Sequence, residues 1–157
     1  MISLVQLLKE SQNTPKAIFM AGPAGSGKTY TLNQLGLQNF KVINVDDVYE
    51  KLLKDTLGKE DFASMSPEEL STAGKLMGKA RVATREKETQ ALENLENIVI
   101  DGTGAASRPL LKKKQQLEDL GYDTFMILIY VSPMVSLKRN AQRGRSCTIN
   151  YYIFKIF

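Results

Sequence analysis

Residues 20–31 read MAGPAGSGKTYT, closing the apolar run KAIFMA (16–21) and opening a segment with helical character. Within it, Gly22-Pro23-Ala24-Gly25-Ser26-Gly27-Lys28-Thr29 matches G-x-x-x-x-G-K-[ST] in full. The chemistry of a phosphate-binding loop needs these residue types in this order. The glycines permit backbone conformations closed to other residues, so successive N–H groups turn inward around phosphate oxygens at the start of a helix. Lys28 then reaches the β- and γ-phosphates and the Thr29 hydroxyl binds magnesium, with the nucleotide-binding stretch extending through Tyr30. Pro23 lacks an N–H and sits early, where none is needed. A glycine-rich turn that binds nothing is the alternative, and the strand before and helix after the loop favour the phosphate reading. Such a loop does not by itself separate a kinase from a GTPase or a mechanical ATPase.

Composition narrows the classes. The 157 residues, 43% of them hydrophobic, suit one domain spanning 1–157 that buries roughly 70% of its unfolded surface. With 21 basic and 17 acidic residues the net charge is +4, a balance that fits a phosphorylated ligand without demanding nucleic acid. One cysteine, Cys147, excludes an internal disulfide, and the lack of histidine removes the commonest zinc ligand and general base. Acid–base work therefore falls to carboxylates or lysine. The start MISLVQLLKESQ is too polar for a signal-peptide core, and no apolar run approaches the ~20 residues that span a bilayer, so the expectation is a cytoplasmic protein with no membrane partner.

Outward from the loop, strand and helix alternate. KAIFMA, FKVINVD (40–46), NIVIDG (97–102) and TFMILIYV (124–131) are apolar, largely β-branched runs, as in a parallel sheet covered on both faces. Residues 1–15 hold a short amphipathic helix with Leu4, Leu7 and Leu8 at helical spacing. Ser66-Pro67-Glu68-Glu69 carries the signature of a helix start, and that helix runs to about Asn94 with a break expected near Gly74 or Gly78. Ser107 with Pro109 begins another that Gly121 ends, and Ser132-Pro133 begins a third. Residues 58–66, GKEDFASMS, read as the mobile loop. The alternation argues for a doubly wound α/β domain.

In such sheets ligands gather beyond the carboxyl ends of the strands. Asp101 ends an apolar run as a Walker B carboxylate does and would place magnesium with Thr29, unless it serves only the turn DGTG. Thr103, in the same turn, is a candidate for substrate contact. Asp46 and Asp47 are adjacent, so at a helix start their side chains diverge by about 100° and divide the work. Asp46 is assigned to the cleft, orienting an acceptor hydroxyl, with helix capping as the alternative. Arg139 and Arg143 stand four apart on one helix face, suited to closing over phosphates, unless they form a solvated basic face. Arg81 and Arg85 repeat the spacing and suit either an anionic substrate group or surface salt bridges.

The order of Gly22 to Thr29, VINVDD (42–47), NIVIDGTG (97–104) and YVSPMVSLKRNAQRGR (130–145) resembles small P-loop kinases of the polynucleotide kinase and zeta-toxin type. The resemblance covers about residues 16–145. It implies a P-loop NTPase fold, three-layer α/β/α with a parallel sheet of strand order 2-3-1-4-5. It also implies ATP with Mg2+ and transfer of the γ-phosphate to a hydroxyl of a nucleotide-like or other small phosphorylated substrate. By the same resemblance Asp46 activates that hydroxyl, Lys28 and Thr29 hold nucleotide and metal, and Arg139 and Arg143 bind phosphates; Asp47, next to Asp46, is a further candidate for substrate binding. Polynucleotide kinases carry an arginine shortly after the aspartate that matches Asp46. Here Val48 and Tyr49 stand nearby, which weakens a nucleic-acid 5′ end as the acceptor. Zeta toxins add an acidic residue on a substrate loop, and none of Glu60, Asp61, Glu68 and Glu69 aligns with it.

The resemblance ends in residues 146–157, SCTINYYIFKIF, which hold four of the twelve aromatics. They form either a fifth strand at the sheet edge or a truncated, non-native end that leaves the adenine site incomplete. Two alternatives to a kinase remain: a nucleotide-binding ATPase or regulatory module, and a nucleotide-binding protein whose catalysis is impaired.

Overall fold

The computed structural model describes residues 14–102 and 107–141. Thr103, Arg143, the expected N-terminal helix and the segment 146–157 lie outside the described residues. The elements are β1 (Lys16–Ala21), α1 (Lys28–Gln34), β2 (Lys41–Ile43), α2 (Val45–Leu57), a 3-10 turn (Phe62–Ser64), α3 (Pro67–Glu93), β3 (Ile98–Gly102), α4 (Ser107–Asp119), β4 (Asp123–Leu128) and α5 (Pro133–Ala141). All strand pairings are parallel, in the order β2-β3-β1-β4. The described strands therefore follow the expected 2-3-1-4-5 order, whose last position falls outside the described residues.

Alternation along the strands sends side chains into two cores, which is why the runs are apolar throughout. Ala17, Phe19, Ile43 and Ile98 point to one face and pack with Ala91 of α3, with Leu117 of α4 and with Tyr122, just before β4. Ile18, Met20 and Val99 point to the other and pack with Leu32 and Leu37 around α1. The result is a three-layer α/β/α sandwich.

A third cluster stands apart from the sheet. Tyr49 and Leu53 of α2 pack with Met65 and with Ala73, Leu76 and Ala80 on the first half of α3. Across its 27 residues α3 thus belongs to two cores, the α2 lobe at its start and the sheet at its end. Its start is fixed by a full capping box: Glu69 N–H donates to Ser66 Oγ at 3.3 Å and Ser66 N–H donates to a Glu69 carboxylate oxygen at 2.7 Å.

Two local expectations change, and the 58–66 loop shows local contacts. The break expected near Gly74 or Gly78 is absent: α3 is continuous. Glycine costs roughly 1 kcal/mol in a helix interior, and the packing of Ala73, Leu76 and Ala80 against α2 outweighs it. Strand β2 is only three residues long, because Asn44 caps α2 and commits Val45, Asp46 and Asp47 to its first turn. The 58–66 loop is held by contacts of its own: Lys59 Nζ donates to both Glu69 carboxylate oxygens at 2.8 and 3.0 Å, and Asp61 caps the 3-10 turn through Ala63 N–H at 3.1 Å.

Candidate functional site

The glycine loop connects the carboxyl end of β1 to α1, and the ends of β2 and β3 lie beside it. Gly27 caps α1 with φ 95°, in the left-handed region that favours glycine. Gly22 is needed for another reason. A Cβ there would stand 2.8 Å from the Ile129 carbonyl oxygen and 2.8 Å from Ser26 Oγ. The loop is thus packed directly on the end of β4, where Ile129 N–H donates to Ala21 O at 2.8 Å.

Lys28 turns back into the loop. Its Nζ donates to Gly22 O at 2.9 Å and to Pro23 O at 3.4 Å, and stands 3.7 Å from Asp101 Oδ1. Both side chains are largely buried, 15% and 12% exposed, so the ammonium and the carboxylate face each other in a poorly hydrated cleft. Asp101 Oδ1 is buried and accepts no hydrogen bond among the described residues. Burial pushes the Asp101 carboxyl above the usual value; Lys28 opposes the shift, and the nearby charges of Asp47 and Asp46 add to it.

A residue with no role in the sequence reading joins the strand ends. Asn44 Oδ1 accepts from Asp46 N–H at 2.8 Å, while its Nδ2 donates to Asp101 Oδ2 at 2.9 Å and to Asp47 Oδ1 at 3.2 Å. Carboxylates only accept, so these partners fix which way the amide points. The cap was readable from an asparagine ahead of an acidic helix turn; the link to Asp101, 57 positions away, was not. Asp47 is therefore the carboxylate tied to the cap, and Asp46 is exposed one position earlier.

Thr29 and Tyr30 are exposed on the first turn of α1. Arg139, in the last turn of α5, brings Nη1 to 4.0 Å from where a Cβ on Gly27 would stand. Arg81 and Arg85 are exposed on α3, and neither forms an ion pair among the described residues; the neighbouring Glu88 pairs instead with Lys113 of α4 at 2.7 Å. The structure thus gathers the loop, Lys28, Asp46, Asp47, Asp101 and Arg139 at one end of the sheet. Nothing described brings Arg81 or Arg85 into contact with them.

Among the described residues there is no group of three or more Cys, Asp or Glu side chains that could hold a metal ion. Magnesium at phosphate sites usually takes only one or two protein oxygens, with phosphate and water completing its shell. Thr29 and the orphaned Asp101 Oδ1 fit that requirement.

The family model described as zeta toxin matches residues 4–150. The chain belongs to the zeta toxin family. A chain from the PezAT chromosomal toxin–antitoxin system of Streptococcus pneumoniae is similar to it, with 23% identity, a TM-score of 0.59, and coverage of 87% of this chain and 56% of that one. A putative kinase from Chloroflexus aurantiacus is 20% identical over 82% of this chain and 66% of its own length, with a TM-score of 0.55. A chain of the Pnkp1/Rnl/Hen1 RNA repair complex is 19% identical over 95% and 46%, also with a TM-score of 0.55. This zeta toxin family chain therefore spans about half to two thirds of the length of these structures, and at such identities they show a shared P-loop kinase fold. None of the curated proteins compared matches it. No helix among the described residues is long and apolar enough to cross a membrane.

In this zeta toxin family chain, Tyr49 is buried in the lobe. Its hydroxyl donates to Ala73 O at 3.1 Å and its ring lies on Phe62, centroids 6.3 Å apart. Of the acidic candidates around the 3-10 turn, Asp61, Glu68 and Glu69 also have local partners. Glu68 accepts from Ser66 Oγ at 2.8 Å, while Glu69 and Asp61 serve the contacts already described.

Proposed function

We propose that the protein is an ATP-dependent phosphotransferase that moves the γ-phosphate to a hydroxyl of a nucleotide-like or other small phosphorylated substrate. The observation that carries this reading is the junction at the strand ends, where Asp101 meets Lys28 from the loop on one side and Asn44, with the Asp46-Asp47 turn, on the other. This junction supports a reading in which phosphate donor and acceptor hydroxyl meet at the strand ends.

In this reading the loop amides and Lys28 neutralise the β- and γ-phosphates. A triphosphate competes with Gly22 O and Pro23 O for the Lys28 ammonium, replacing neutral carbonyl acceptors with charged ones. Asp46 accepts a hydrogen bond from the acceptor hydroxyl and aims its oxygen at the γ-phosphorus. A carboxylate at a helix start is a weak base, and a loose transition state asks mainly for orientation. Arg139 adds planar, charge-assisted donors over the transferring group. Thr29 and Asp101 would hold magnesium, which neutralises charge on the phosphates when bound.

The nucleic-acid end is disfavoured as acceptor, because Tyr49 is committed to the lobe core near the position where polynucleotide kinases use an arginine. The test is transfer of labelled γ-phosphate to nucleosides, nucleotides, sugar nucleotides and 5′-hydroxyl oligonucleotides, with ATP turnover followed in parallel. A kinase shows turnover strongly stimulated by one acceptor class. Equal turnover with and without every acceptor would instead support a nucleotide-hydrolysing module, and ATP binding without turnover a protein impaired in catalysis.

A further inference from the structure

Among the described side chains of α5, Ser136 alone is buried, with no exposed surface at all. Its Oγ donates to Ala24 O at 2.8 Å, joining α5 to the glycine loop across 112 positions of sequence. A helical hydroxyl commonly returns to the carbonyl four residues back, as Thr84 does to Ala80 O at 2.8 Å and Thr72 to Glu68 O at 3.0 Å. Ser136 directs its hydroxyl out of the helix instead. Its backbone N–H still donates to Ser132 O at 3.0 Å, so the helix itself does not need the side chain.

Arg139 lies three positions further on, on the same side of the helix. It is the residue whose Nη1 approaches Gly27, where the loop passes into α1. An arginine side chain loses roughly 2 kcal/mol of rotamer freedom when fixed, so its value to a bound anion depends on how firmly its base is held. Met134 and Val135 beside Ser136 are exposed and give α5 little apolar anchorage.

We infer that Ser136 is a positioning residue: its bond to Ala24 O pins α5 against the loop and so holds Arg139 over Gly27 for triphosphate binding. The inference rests on the reading of the loop as a triphosphate site. It predicts that Ser136 acts through Arg139.

The test is a double-mutant cycle on the full chain, with the affinity for magnesium adenylyl imidodiphosphate measured by calorimetry. Ser136→Ala is expected to weaken binding roughly tenfold when Arg139 is present and about twofold or less in an Arg139→Ala background. A merely structural serine would lower the melting temperature without such coupling. Unchanged affinity in Ser136→Ala, or the same loss in both backgrounds, overturns the inference. If Ser136→Ala does not fold, Ser136→Cys carries the cycle, filling a similar space with a weaker donor and giving a smaller loss of the same pattern. Absence of binding by the unaltered protein would remove the triphosphate reading, and this inference with it. Binding by the unaltered protein without coupling removes this inference alone.

Discussion

The Asn44 side-chain amide reaches from the end of β2 to the end of β3 and donates to Asp101 Oδ2 at 2.9 Å, while its oxygen caps α2. One side chain thus performs two separable tasks. Asn44→Ser keeps a capping oxygen but is too short to reach Asp101, whereas Asn44→Ala loses both. Asn44→Ala is expected to cost about 1 kcal/mol of stability, or roughly 2–4 °C in melting temperature, and Asn44→Ser to restore most of it. Phosphoryl transfer should fall in both variants. Full activity in Asn44→Ser would show that the bridge to Asp101 is dispensable.

Asp46 is exposed at the second position of α2, with its backbone N–H on the cap and its carboxylate available to a substrate. Asp46→Asn preserves size and cap, and should lower transfer about a hundred- to ten-thousand-fold with ATP affinity nearly unchanged. Asp47→Asn should cost less in transfer, because Asp47 is tied to Asn44. Equal transfer by Asp46→Asn and the unaltered protein would sink the assignment.

Signals confined to a few neighbouring residues were legible in the sequence. The capping residues Ser66 and Glu69, the Ser132-Pro133 start and the loop between β1 and α1 all follow from local backbone chemistry, and the continuous apolar runs gave the parallel sheet. What depended on contacts across the chain was not. Asn44 meets Asp101, and Ser136 meets Ala24, only because the sheet brings distant strand ends together. Local propensity also misjudged α3: the two glycines weaken the helix in isolation, and packing on α2 is a tertiary fact. The short β2 shows the converse, an apolar pattern running through Val45 that a cap at Asn44 converts into helix.

Gly22→Ala tests how tightly the loop is seated. The added methyl would meet the Ile129 carbonyl oxygen at 2.8 Å, and a backbone atom fixed by the adjoining Ile129–Ala21 hydrogen bond does not move aside cheaply. Overpacking of this kind typically costs about 1–3 kcal/mol. The expected outcome is a lower melting temperature together with lost ATP affinity, since the loop must shift to admit the methyl group. Gly78→Ala is the control: a Cβ there has nothing within 4 Å, and alanine in a helix should stabilise by roughly 0.4–1 kcal/mol.

Asp101 links function to stability with opposite signs. Burial raises its carboxyl above the ordinary value of 3.8, so the folded protein holds that proton more tightly than the unfolded chain. The stability this provides is fully present below the unfolded value and is lost as pH rises through the folded one. At neutral pH the ionised, buried carboxylate is therefore a burden on the nucleotide-free protein. Asp101→Asn removes the charge while keeping an oxygen to accept from Asn44. It should raise the melting temperature near pH 7. The advantage should shrink as pH falls through the raised folded value and vanish only below the unfolded value of 3.8, where both states are protonated. Phosphoryl transfer should be lost in the same variant, because the orphaned Oδ1 that fits the metal is replaced. Thermal unfolding of both proteins from neutral to acidic pH measures the difference, and a variant less stable than the unaltered protein at pH 7 would show that the Lys28 pair outweighs the cost of burial.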